Sequence, residues 1–205
     1  LTTGLVPDHP AQRHINLYGD GVKDIAFTVF DAERAFTRAV ENGAEIAYEP
    51  HTVGDKNGKV TRAGIKTYGE VIHTFVSRTG EFALPNIKKG GVLLPGFETM
   101  DHPLNQYNEE HPCGLKFLDH CVGNVELGGM DRTVDWYEKV LEFSMFKHFD
   151  DEDISTEYSA LMSKVMSSGG GLIKFPINEP AEGKRKSQIQ EYLDWHSDTP
   201  GIQHL

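Results

Sequence analysis

Three short segments of the chain follow one pattern: GVKDIAFTV at 21–29, FLDHCVGNV at 117–125 and GIQHL at 201–205. Each opens on an alternation of apolar and polar residues, the period of a half-buried strand. The first two run into helical patterns. In DAERAFTRAVENG, Asp31 stands where an N-cap belongs, Ala35, Phe36, Ala39 and Val40 share a face, and Gly43 closes the segment. In MDRTVDWYEKVLEF, Met130, Val134, Tyr137 and Leu141 share a face. Strand-like runs follow both helices: VTRAGIKTYG and VIHTFVSRTG in the first unit, TEYSALMSKVM and LIKFPIN in the second. A β-α-β-β-β unit of about 60–70 residues therefore occurs twice, and a third begins at 201.

The repeat sets the expected organisation. Residues 1–83 are read as part of an N-terminal domain, with one module at about 21–82. Residues 84–112, rich in Gly, Pro and polar residues, are read as a linker. Residues 113–205 are read as part of a C-terminal domain, one module plus the first strand of the next. The fold class is α+β, with curved mixed sheets forming half-barrels.

Composition narrows the partners. Acidic residues outnumber basic ones 31 to 20, for a formal charge of −11, which argues against nucleic acid and against an anionic membrane surface. No apolar run approaches the ~20 residues of a spanning helix. The first ten residues lack the basic start and apolar segment of a signal peptide, and the chain has no initiator Met, so it reads as a fragment. Two cysteines, Cys113 and Cys121, make no disulfide framework and point to a reduced, cytoplasmic setting.

Aligning the units on their first strands puts Asp24, His120 and His204 at equivalent positions. An unpaired polar group in a core costs about 1–3 kcal/mol, so His120 needs a partner or a use. A core histidine bonded to a neighbour is one reading. Recurrence in the next unit favours another: two imidazoles aimed at one point, an arrangement that suits an Fe(II) oxygenase.

With these residues in view, the chain resembles the vicinal oxygen chelate superfamily and, within it, the 4-hydroxyphenylpyruvate dioxygenase family. FLDHCVGNVE, TEYSALMSKV, KFPINEPAEGKRKSQIQEYL and GIQHL carry the resemblance. It implies Fe(II) held by His120, by His204 and by a glutamate beyond Leu205. It also implies an aryl α-keto acid and O₂ as substrates, and homogentisate and CO₂ as products of tyrosine and phenylalanine catabolism. A homo-oligomer, dimer or tetramer, is implied as well. Ser163, Asn178 and Gln188 would place the substrate; Val122, Pro176 and Gln203 would line its site.

Each residue also has a plainer reading. Ser163 could bond within its sheet. Pro176 inside a strand run suggests an edge or a bulge, and Asn178 could cap a turn. Gln188 adjoins Ser187, which forms a capping-box pattern with Gln190. Asp119 should point away from His120, while Val122 should share its strand face. The basic run 184–186 reads as solvated, and His73, His148 and His196 as surface or core residues. Two other functions stay open: 4-hydroxymandelate synthase, from which the Pro176/Asn178 pair distinguishes the ring-hydroxylating enzyme, and a metal-free binding module of the superfamily.

Overall fold

In the computed structural model, residues 2–149, 161–181 and 186–205 are described. The start of the TEYSALMSKVM run and two residues of the basic run 184–186 lie outside them. The chain opens on α1 (Pro10–Tyr18), with Pro10 in its first turn and the His9 ring accepting the Ala11 N–H. The first module follows as β1 (Asp24–Thr28), α2 (Ala32–Glu41), β2 (Ile46–Asp55), β3 (Gly58–Lys66) and β4 (Ile72–Arg78). Asp31 caps α2 by accepting from the Arg34 N–H at 3.0 Å, and Ala32, Phe36 and Ala39 form its buried face. The sheet runs in the order β1-β4-β3-β2, with β1 parallel to β4 and the other pairs antiparallel.

Residues 84–112 hold two short helices, α3 (Leu84–Ile87) and α4 (Pro103–Glu110), and none of these residues is buried. The second module is β5 (Val122–Asn124), α5 (Met130–Leu141), β6 (Ser144–Phe149), β7 (Leu161–Ser168) and β8 (Ile173–Pro180). After it come α6 (Gln188–Trp195) and β9 (Gly201–His204). The second sheet reads β6-β7-β8-β5-β9. The second module thus repeats the strand order of the first, and β9 adds to the free side of β5. This is the α+β, βαβββ architecture expected from the repeat, in two open mixed sheets.

The helix α5 lacks a side-chain cap of its own at Gly129. Buried Glu179 supplies one from β8, its carboxylate accepting the Met130 N–H at 3.0 Å. A carboxylate at a helix N-terminus satisfies an orphan donor and meets the positive end of the helix dipole.

One apolar cluster draws on both modules: Tyr68 and Val71 from the first pack with Met130, Val134, Tyr137, Phe143, Met166, Phe175 and Ile177 from the second. His73, fully buried, lies in this joint. Its Nδ1–H donates to the Ile25 carbonyl at 3.2 Å, and its Nε2 accepts the Tyr137 hydroxyl at 2.8 Å. Burial pushes the ring pKa down to about 4, with the Ile25 carbonyl acting in the opposite direction.

A pH dependence follows, with a definite sign. Above pH ~6.5 His73 is neutral in both folded and unfolded chains. Below that, the unfolded chain binds a proton that the folded chain refuses until about pH 4. Stability should therefore fall by about 3 kcal/mol between pH 6.5 and 4 through this one group. Urea unfolding across that range should show the loss, and a His73→Gln variant should flatten it. An unchanged slope in the variant would assign the acid sensitivity elsewhere.

Candidate functional site

The site begins where a strand pairing stops. Cys121 donates its N–H to the Lys174 carbonyl at 3.1 Å, and Val125 donates to the Asn178 carbonyl at 2.9 Å. Between them only Gly123↔Ile177 and Asn124↔Asn178 are paired in the parallel ladder. The missing rung needs an N–H at residue 176, and proline has none. So β5 begins at Val122, and Asp119 and His120 lie before it rather than inside a strand. Leu115, Phe117 and Leu118 are exposed, so the segment ahead of His120 does not enter the core as its alternation suggested. Pro176 itself is neither at an edge nor at a bulge. It sits in interior strand β8, opposite Val165 of β7, and the sheet tolerates it because the ladder on its other side is only two residues long.

On the opposite side of β5, β9 pairs Val122 with His204 and Gly123 with Ile202, a register shift that leaves Gln203 unmatched. The shift brings the His120 and His204 rings to 5.7 Å between centroids, at 82° to each other. Two imidazoles sharing one first-row metal at about 2.1 Å each have centroids within roughly 6.5 Å, so this pair fits a common ion. Each ring has its Nδ1 engaged by the residue before it. His120 Nδ1 meets Asp119 Oδ2 at 2.9 Å, and His204 Nδ1 meets Gln203 Oε1. That leaves both Nε2 atoms as the nitrogens not engaged by the preceding residue. Burial, and then the neighbouring His120, lower the His204 pKa, which favours the neutral ring. Among the described residues no group of three His, Cys, Asp or Glu side chains converges as a metal set; His120 and His204 approach each other as a pair.

Asp119 therefore does not point away from His120. It bridges His120 and Lys174, whose ammonium takes the other carboxylate oxygen. Lys174 first, and His120 second, hold the carboxyl below the usual carboxylate range. The residue of the first module equivalent to His120, Asp24, accepts the Thr74 hydroxyl at 2.7 Å and is a structural acceptor.

The remaining residues fall into two groups. Ser163, Asn178 and Asn124 stand in one row across β7, β8 and β5. All three are buried. The Asn178 amide donates to Asn124 Oδ1 at 3.4 Å, and the Asn124 amide nitrogen is buried without a partner among the described residues. Asn178 lies within the strand, so it caps no turn. Val122, 3% exposed, is paired with His204 across β5 and β9. Gln188 and Gln203 instead line a cleft of about 540 Å³ together with Tyr192, Trp195 and His196 of the α6 segment. Gln188 is the first residue of α6. Ser187 caps that helix through the Gln190 N–H at 3.2 Å, but the Gln190 side chain bonds Asp194 rather than closing a capping box. Sequence reading missed Asn124, Lys174 and the aromatic stack of Tyr192 on His196, whose ring centroids are 5.0 Å apart. Asn124 was visible as a polar residue in an apolar strand, and Tyr192 and His196 as an i, i+4 pair at the end of α6; Lys174 depends on pairing across the sheet.

Residues 117–205 match the family described as the Glyoxalase/Bleomycin resistance protein/Dioxygenase superfamily. Over 195 residues, 94% of this chain, the sequence is 47% identical to a 4-hydroxyphenylpyruvate dioxygenase of Tetrahymena thermophila, of which it covers 46%. Over 206 residues it is 42% identical to the Yarrowia lipolytica protein of the same name, covering all of this chain and 50% of that one. The chain spans about half the length of the curated relatives it matches. Among solved structures, a mutant 4-hydroxymandelate synthase from Streptomyces coelicolor superimposes with a TM-score of 0.68 at 24% identity, over 97% of this chain and 52% of that one. That likeness speaks to the fold.

Proposed function

We propose that the chain, whose residues 117–205 match the glyoxalase/bleomycin resistance protein/dioxygenase superfamily, carries the two-histidine part of an Fe(II) site in a 4-hydroxyphenylpyruvate dioxygenase. The whole enzyme would convert 4-hydroxyphenylpyruvate and O₂ to homogentisate and CO₂. The observation that carries the reading is the His120/His204 pair, with ring centroids 5.7 Å apart and both Nδ1 atoms occupied. The relatives named above support it. Their greater length leaves room for a third, carboxylate ligand.

Fe(II), when bound, would chelate the keto acid and activate O₂. The chain's own residues would do the rest. His120 and His204 offer Nε2 to the metal and act as ligands rather than as general bases. The Ser163, Asn178 and Asn124 row offers buried polar atoms to the substrate, and the unpartnered Asn124 nitrogen is a donor in want of an acceptor. Gln188 and Gln203 offer amides from the cleft side. Val122 and Val165, both buried, keep water from the reacting centre. The same reading makes the enzyme a cytoplasmic homo-oligomer; both cysteines are free thiols, and no described helix is long and apolar enough to cross a membrane.

The test uses a protein that contains this chain together with the remaining length of its relatives. Loaded with Fe(II) and given 4-hydroxyphenylpyruvate, it should consume O₂ and release homogentisate, identified by chromatography. Release of 4-hydroxymandelate would assign the sister reaction. No O₂ uptake by iron-loaded protein would remove the dioxygenase reading.

A further inference from the structure

We propose that Asp119 is a positioning residue for His120, fixing its ring as the Nδ1–H tautomer so that Nε2 is the nitrogen free to coordinate. This rests on the reading of His120 as a metal ligand, and the experiment below separates the two. An ionised carboxylate can only accept hydrogen bonds. The 2.9 Å contact from Asp119 Oδ2 to Nδ1 therefore requires the hydrogen on Nδ1. The other carboxylate oxygen is held by the Lys174 ammonium.

Lys174 acts twice. Its carbonyl takes the Cys121 N–H at 3.1 Å, fixing the backbone one residue beyond His120. Its side chain, only 21% exposed, fixes the carboxylate. The last rung before the Pro176 gap thus anchors both the main chain beside the ligand and the group that orients it. His204 is treated more weakly: its Nδ1 meets the neutral amide oxygen of Gln203, and a charged acceptor makes a bond roughly twice as strong as a neutral one.

The plain alternative is a surface ion pair between adjacent residues, since the Asp119 side chain is 53% exposed. Such pairs contribute little to stability. The two accounts part on what removal of Asp119 does. A surface pair leaves the imidazole tautomer and metal affinity where they were. A positioning residue changes both without unfolding the chain.

The experiment takes the 205-residue chain free of metal at pH 8. Long-range ¹H–¹⁵N correlation spectra report which ring nitrogen of His120 carries the proton, with His120→Gln identifying the signals. Co(II) alone is then titrated calorimetrically. The wild-type ring should show a protonated Nδ1 and a bare Nε2. Asp119→Ala should move the proton to Nε2 and weaken Co(II) binding about 10–100-fold. Asp119→Asn, whose amide oxygen can still accept, should restore the tautomer and recover part of the affinity. A wild-type ring protonated on Nε2 would overturn the proposal, as would an Asp119→Ala chain with unchanged tautomer and affinity. If His120→Gln bound Co(II) as tightly as wild type, the ligand reading would fail instead. The tautomer spectra would still decide the role of Asp119.

Discussion

Replacing His120 with alanine, in a protein that carries this chain with the remaining length of its relatives, should remove bound iron and turnover together. The argument starts from the ligand count. Two imidazoles converge here, and no third His, Cys, Asp or Glu joins them among the described residues. On this reading, taking one away leaves His204 and the carboxylate supplied by the remaining length, too few ligands to retain a divalent ion against buffer. Turnover should fall at least ~10³-fold, about 4 kcal/mol in barrier height. Stability should hardly move. The His120 side chain is 40% exposed, its bonded partner Asp119 is 53% exposed, and substitutions at such positions usually stay within about 0.5 kcal/mol. Metal analysis, O₂ uptake and urea unfolding on one preparation make the check. A His120→Ala protein that kept iron and normal turnover would refute the ligand assignment. Lost iron accompanied by a large drop in stability would assign His120 a structural role instead.

What could be read from the residues was what repeats and what is amphipathic. The α2 cap at Asp31, the α2 and α5 faces and the β3, β4, β7 and β8 runs all carry strong local signals. The strands β2 and β6 do not. β2 is an edge strand with two register shifts against β3, and most of its residues are exposed, so no period-two pattern survives. β6 is shifted between Met145 and Lys147, with the same result. The helix α1 is capped by a histidine, which is not among the residues that usually announce a helix start. At the site, the pairing of His120 with His204 was legible because the two recur at one point of the repeat. The surroundings of His120 were not. Asp119 was assigned to the far side by strand alternation, but His120 precedes the strand, and alternation does not apply there. The cause lies 56 positions away, at Pro176, whose missing N–H ends the ladder. Such a cause shows only when β8 is laid against β5.

The same strand carries the second large effect. Phe175→Ala should destabilise the chain by about 3–5 kcal/mol. Phe175 is 1% exposed. Its ring stacks on Tyr137 at 5.4 Å and meets Phe143 at 6.2 Å, both from the second module. It also meets Phe27 at 5.9 Å and His73 at 5.3 Å, both from the first. Deleting the ring opens a cavity that rigid aromatic neighbours fill poorly, which is where large-to-small costs run highest. Domains are stable by only about 5–15 kcal/mol, so the loss is a large fraction of the total. How the loss is distributed tests how the modules are joined. If the shared cluster makes them one cooperative unit, urea unfolding should stay a single transition, moved to lower urea, with tryptophan fluorescence and circular dichroism coinciding. Trp136 packs against the shared cluster and reports on the joint directly. Two separate transitions, only one of them displaced, would mean that each module stands on its own and that the joint contributes little. A change below about 1 kcal/mol would mean the aromatic cluster repacks around the gap. Phe175 lies between Lys174 and Pro176, the two residues that anchor and end the pairing beside His120. Strand geometry sends its ring to the core while theirs lie on the opposite face, so a residue of the shared core also sets the strand against which the backbone beside His120 is anchored.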